Sequence, residues 1–144
     1  CQSGYSLDLL YKQLGELHTN KTIVLLDACF SGTTREGKMM TTDSKGVAIK
    51  SKPVQPKGNM VVLSASQGDE TAYPYKEEEH GLFTYYLLKK LQETKGNATL
   101  GELSDYIKEQ VERQSIVTNG KLQSPSIMAT FSIGNEWKNW TLNK

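Results

Sequence analysis

Leu7, Leu10, Leu14 and Leu17 fall three or four residues apart behind Ser6, a spacing that puts all four on one helix face. Ser6 stands where an N-cap is needed, and His18 stands where a positive group would meet the helix dipole, so a helix is predicted over residues 6–18. The pattern then changes. Thr22 to Ala28 reads TIVLLDA, an apolar and β-branched run that predicts a strand buried on both faces, and NMVVLSAS at 59–66 predicts another. Between them residues 33–58 show no apolar period, and a segment of that length is expected to be functional or disordered. Phe83, Leu87 and Leu91 mark a further helix. Thr99 and Glu102 form a capping box for a third, with Leu103, Ile107 and Val111 on its inner face. SPSIMATFSI at 124–133 predicts a last strand entered through Pro125, whose ring suits a strand's first residue. Strands separated by helices predict an α/β layered sheet, with any site at the carboxyl ends of the strands.

Composition narrows this picture. At 144 residues, with 37% hydrophobic and 23% charged positions, the chain fits one domain with an ordinary soluble balance. A net charge of +1 supplies no general field for nucleic acid, and no apolar stretch approaches membrane-spanning length, so neither nucleic acid nor membrane is an expected partner. The opening CQSGYSLDLLYKQLGEL resembles an amphipathic helix and not a secretory signal, which favours the cytoplasm, although a true N-terminus upstream of Cys1 would leave the localisation undetermined. The two cysteines, Cys1 and Cys29, make no disulfide framework, and no Cys/His group has zinc spacing. No metal or cofactor is expected on these grounds.

One stretch breaks the local rules. The run KTIVLLDACFSG ends a buried strand with an acid, a cysteine and Ser-Gly. A buried Asp is costly without a partner, and a Cys beside a sharp turn is poised to react rather than packed. Residues two apart on a strand share a face, so the Asp27 carboxylate is expected beside the Cys29 sulfur. A competing reading starts at GTTREGKM, where Gly32, Gly37 and Lys38 nearly match a phosphate-binding loop. Met39 stands where that loop needs a hydroxyl for magnesium, and MMTTDSKG makes a poor helix to cradle phosphate.

LLDACFSG resembles the nucleophile motif of the caspase-like cysteine peptidases, closest to their metacaspase and bacterial branch. VVLSASQGDETAYPYKEEEHGLFTYYLLKKL resembles the start of that family's small subunit, and LGELSDYIKEQV followed by QSPSI is similar to its closing helix and strand. The likeness covers roughly residues 5–133. It implies a three-layer caspase-like fold, a mostly parallel sheet flanked by helices, incomplete at the N-terminus. Residues 1–32 would then end a large-subunit-like part, 33–58 would form a linker and 59–144 a small-subunit-like part.

The same resemblance implies a function: cysteine endopeptidase activity after Arg or Lys, with Cys29 as nucleophile and its backbone N–H as one oxyanion donor. A thiol needs a base or a local positive potential to react at neutral pH, and the family places its His about 50 residues before the Cys. Only 28 residues precede Cys29, so the general base is expected upstream, in an N-terminal part of the same gene product that would be a partner alongside the peptide substrate. The chain alone is then expected to be inactive. An acid at position 27 implies an acidic primary pocket, with Asp69 a second candidate, and the likeness places Ser64, Tyr75 and Lys76 among the substrate-binding residues. Arg35, Lys38, Lys45, Lys50, Lys52 and Lys57 lie where the family is often cut during activation and are candidate autoprocessing sites. Metacaspase relatives often need calcium, but no acid cluster for it can be assembled from these residues.

Plainer readings stand beside these. Asp27 could cap the amides of a neighbouring loop, Pro74 could belong to an ordinary Tyr-Pro turn because it cannot donate to an added strand, and the basic segment could be a solvated loop. His80-Gly81 imitates the family's catalytic pair but follows the Cys and opens a helix, as a surface or capping residue would. A non-catalytic caspase-like module is the alternative for the whole chain. The tail GNEWKNWTLNK, with both tryptophans, either packs on the domain or contacts something else.

Overall fold

The computed structural model describes residues 5–28, 55–68 and 70–143. Helix α1 (Leu7–Gly15) leads into strand β1 (Thr22–Leu26), and β2 is Met60–Ser64. A two-residue strand pair follows, β3 (Pro74–Tyr75) and β4 (His80–Gly81), joined by a 3-10 turn over Lys76–Glu78. Helices α2 (Leu82–Glu93) and α3 (Leu100–Asn119) then lead to β5 (Ser126–Ala129). Among the described residues the main sheet has the order β1-β2-β5, with β1 parallel and β5 antiparallel to the central β2. Register is set at Leu26 opposite Ser64 and Ser64 opposite Ser126. This mixed α/β architecture is consistent with a caspase-like fold.

All five residues of β2 are buried, as the unbroken apolar run requires, and their alternation divides the interior into two. Val61 and Leu63 join the core under α2 and α3, which includes Leu82, Phe83, Leu103, Ile107 and Val111. Met60 and Val62 face Tyr11 of α1. The expected inner residues of α2 and α3 lie on those faces. The Thr99–Glu102 box is complete, with Glu102 N–H donating to the Thr99 hydroxyl at 3.2 Å and Thr99 N–H to the Glu102 carboxylate at 2.9 Å.

Four expectations change in detail. The 22–28 run predicts a strand buried on both faces, yet β1 ends at Leu26, has no fully buried residue and leaves Leu25 exposed, because among the described strands it pairs only with β2. Helix α1 stops at Gly15 instead of running to His18, because the chain at Lys57–Gly58 crosses there so closely that a Cβ on Gly15 would come within 3.0 Å of the Lys57 Cβ. Leu17, assigned to the buried stripe, is therefore past the helix and 55% exposed. Ser6 has the extended backbone of an N-cap, but its side chain makes no capping bond. The last strand is shorter than 124–133. After Ala129 the chain turns through a 3-10 segment, Phe131–Ile133, which leaves Phe131 fully exposed and Ile133 buried.

The tail packs on the domain. Trp137 and Trp140 are buried in the α2–α3 core, and the Trp140 carbonyl accepts the Leu100 N–H at 2.7 Å, satisfying one of the orphan donors at the start of α3. Thr141 bridges to Thr99, and the Asn143 side chain donates to the Lys95 carbonyl at 3.0 Å. The ammonium of Lys21 lies 5.7 Å from the Trp140 ring centre, which ties the tail to the start of β1.

Candidate active site

β1 alternates its residues between the two cores: Ile23 packs toward α2 and α3, while Val24 and Leu26 face α1. Continuing that alternation puts Asp27 on the α2 side, just past the last ladder pair. There it meets the first turn of α2. The Thr84 hydroxyl donates to the Asp27 carboxylate at 2.5 Å, a short charge-assisted bond. Gly81 lies directly beneath, so close that a Cβ at this position would overlap the carboxylate. Gly81 has ordinary extended dihedrals, so the need for glycine comes from the approach of Asp27 and not from backbone conformation. An anion at a helix start is also favoured by the helix dipole.

Asp27, Gly81 and Thr84 form one end of an open hollow of about 390 Å³, closed on its other sides by Pro74, Tyr75 and Lys76 and by Glu79 and His80. The β3–β4 ribbon supplies that wall. Pro74 pairs with Gly81 and Tyr75 with His80, and the Leu82 N–H donates to the Tyr73 carbonyl at 3.0 Å, so the ribbon is joined to the head of α2. Glu79 holds a left-handed backbone, with φ of 56°, where the 3-10 turn reverses. A non-glycine residue there is strained, and such strain clusters around binding sites.

Tyr75 is fixed by aromatic packing. Its ring meets Tyr85 edge-on at 5.0 Å and stacks over Tyr86 at 6.4 Å, while Tyr85 and Tyr86 are themselves edge-to-face at 5.0 Å. Burial, reinforced by the neighbouring tyrosines, pushes the Tyr86 phenol up to about 12, so this phenol behind Tyr75 stays neutral at physiological pH. Burial also raises Tyr75 and Tyr85, with Glu77 adding to the first and Glu78 to the second.

Of the residues singled out from the sequence, the fold brings Asp27, Tyr75 and Lys76 to one hollow. Ser64 is buried in the middle of the sheet, and it does not line that hollow among the described residues. Cys29, Asp69, Arg35, Lys38, Lys45, Lys50 and Lys52 lie outside the described residues. Lys57 is exposed beside Gly15, and His18 is exposed beyond α1. His80 is exposed on β4 at the rim. No cluster of three His, Cys, Asp or Glu among the described residues is placed to hold a metal ion, and no described helix is long and apolar enough to cross a membrane.

Sequence reasoning missed Gly81 and Thr84 as the partners of Asp27, and it missed Glu79. A signal for the first two was present. HGLFT sets a glycine and a hydroxyl three residues apart at the start of an apolar helix, where the first turn faces a strand end.

A layered α/β domain with a half-buried acid facing a hollow at the carboxyl end of a strand has its ligand site where such sheets usually place one. The lineage follows from comparison: the model of the caspase domain family matches residues 8–132, and the chain belongs to that family. It is a cysteine peptidase domain in this general sense. A comparison with curated proteins finds no match.

Proposed function

We propose that the chain is the C-terminal portion of a cysteine endopeptidase that cleaves after Arg or Lys, in the manner of the metacaspase branch. Cys29 is the nucleophile, Asp27 the acid that receives the basic side chain, and a His upstream of this chain the general base. The observation that carries the reading is the Asp27 carboxylate lining an open hollow, where it accepts from the Thr84 hydroxyl and packs closely against Gly81. A hollow of about 390 Å³ accommodates a guanidinium or ammonium on its aliphatic stem, and the neutral aromatic wall favours that stem.

Charge sets the selectivity. Breaking one partner of a buried ion pair costs about 3 to 5 kcal/mol, so a basic side chain is preferred over a neutral one by about a hundredfold or more. Lys57 and the basic residues of the 33–58 segment are then substrates for the enzyme's own cut during activation. Their charge is what the pocket selects.

The test is a fluorogenic peptide series with Arg, Lys, Gln or Asp before the scissile bond, offered to the complete gene product and to its Cys29→Ala and Asp27→Asn variants. Cys29→Ala should abolish turnover. Asp27→Asn keeps the acceptor for Thr84 and should erase the hundredfold basic preference while leaving slow cleavage. Equal activity of the Cys29 variant ends the peptidase reading, and an unchanged Arg-to-Gln ratio in the Asp27 variant ends the specificity reading.

A further inference from the structure

The wall of the hollow rests on a ribbon of two residues paired with two, far too short to hold itself in place. Beyond the packing of Tyr75 on the α2 tyrosines, its position comes from what grips its ends. On the inner side the Leu82 N–H donates to the Tyr73 carbonyl at 3.0 Å. On the other side stands a residue that neither the motif nor the pocket contains.

Gln123 is fully buried, in the segment between α3 and β5. Its side-chain Oε1 accepts the Tyr73 N–H at 2.7 Å, and its Nε2 donates to the Ala65 carbonyl at 2.8 Å. One amide thus bonds both ends of the 65–73 segment, which leaves β2 at Ala65 and reaches the ribbon at Tyr73. The orientation of the amide is fixed by this pairing, since a flipped group would set donor against donor and acceptor against acceptor. Its own backbone is held as well, with the Gln123 N–H donating to the Ser115 hydroxyl of α3 at 2.9 Å. The next residue repeats the clamp, because the Ser124 N–H donates to the Glu70 carboxylate at 2.6 Å.

We infer that Gln123 is a positioning residue of the peptidase, a buried staple that sets where Tyr73, Pro74 and Tyr75 stand relative to Asp27 and so fixes the width of the hollow. The inference rests on the proposed peptidase function. Gln123 touches no substrate. It acts through Tyr73, whose two backbone groups are held by Gln123 on one side and by the head of α2 on the other. An Asn is one methylene shorter and cannot span both bonds. A Met fills the same volume and makes neither.

Gln123→Met in the complete gene product tests this beside Ser115→Ala, which removes a bond to the same backbone without touching Tyr73. For Gln123→Met, KM for Arg and Lys peptides should rise about tenfold with kcat within about threefold, whereas Ser115→Ala should lower the melting midpoint and leave KM unchanged. An unchanged KM in Gln123→Met overturns the inference. So does a loss that matches Ser115→Ala and tracks only the folded fraction. Should Gln123→Met not fold, or should the unmodified protein cleave none of the series and so sink the peptidase reading itself, amide exchange of the unmodified protein decides separately. The Tyr73 N–H should exchange as slowly as the β2 amides, and exchange at the rate of the exposed 76–79 turn overturns the staple.

Discussion

The two faces of β2 differ in depth. Val61 and Leu63 belong to a cluster of fifteen buried apolar residues that includes parts of α2, α3 and the tryptophan tail, whereas among the described residues Met60 and Val62 share the opposite cluster's buried set with Tyr11 alone. Leu7, Leu10 and Leu14 of α1 reach this second cluster only partly buried. The thick side carries most of the described stabilisation, and the same side carries Thr84, Gly81 and the tyrosine wall. Among the described residues the candidate pocket is thus built mostly on the thicker layer, and Asp27 alone comes to it from the end of β1, which there pairs only with β2. A binding site gains when its fixed parts sit on packed helices and strands.

The contrast predicts a graded set of effects. Phe83, essentially buried in the first turn of α2, should cost about 3–5 kcal/mol when cut to Ala, while Leu10→Ala, on the half-buried face of α1, should cost roughly 1 kcal/mol. Chemical denaturation of both variants checks the ratio. Equal losses would show that the two faces contribute alike.

How far this could be read from the sequence depended on whether the signal was local. The α2 and α3 faces and the capping box follow from spacing over a few residues, and β1 and β2 follow as strands from their apolar runs, although only β2 is buried throughout. The end of α1 did not, because Gly15 stops the helix through contact with Lys57, some forty positions away in the chain. For the same reason Asp27 was legible as an odd acid on a strand, but its glycine floor and threonine partner, 54 and 57 residues later, were not. Gln123 opens the QSPSI segment that the sequence singles out, but nothing local there signals its clamp. It depends on a loop end and a loop start arriving together.

A second prediction falls where the two layers meet. Gly81→Ala leaves the backbone dihedrals comfortable yet drives a methyl into the Asp27 carboxylate, so it should destabilise by about 1–3 kcal/mol and lower the Arg-to-Gln cleavage ratio about tenfold. A variant with the ratio intact would separate the carboxylate's position from the pocket's selectivity. The smallest effect belongs to the far end of the thick layer. Thr99→Ala removes the α3 cap and should cost about 1 kcal/mol at neutral pH. The Thr99 N–H and then its hydroxyl hold the Glu102 carboxyl below its ordinary value, so the reciprocal bond is present above the ordinary carboxylate range and lost as the pH falls beneath it. Thr99→Ala keeps the N–H bond and loses the hydroxyl's, so its gap to the unmodified protein should narrow in acid only by the hydroxyl's smaller share. Melting curves at neutral pH and near pH ~3 would reveal a constant gap if the carboxylate were uninvolved.

The matched family segment closes at residue 132, yet Trp137 and Trp140 are buried in the same core as α2 and α3. The last stretch therefore behaves as a keel: it seals the underside of the layer that supports the pocket, and it shares with Lys21 a link back to the strand that delivers Asp27. Pocket and keel thus meet opposite ends of one strand, with Lys21 at its start and Asp27 just past its end.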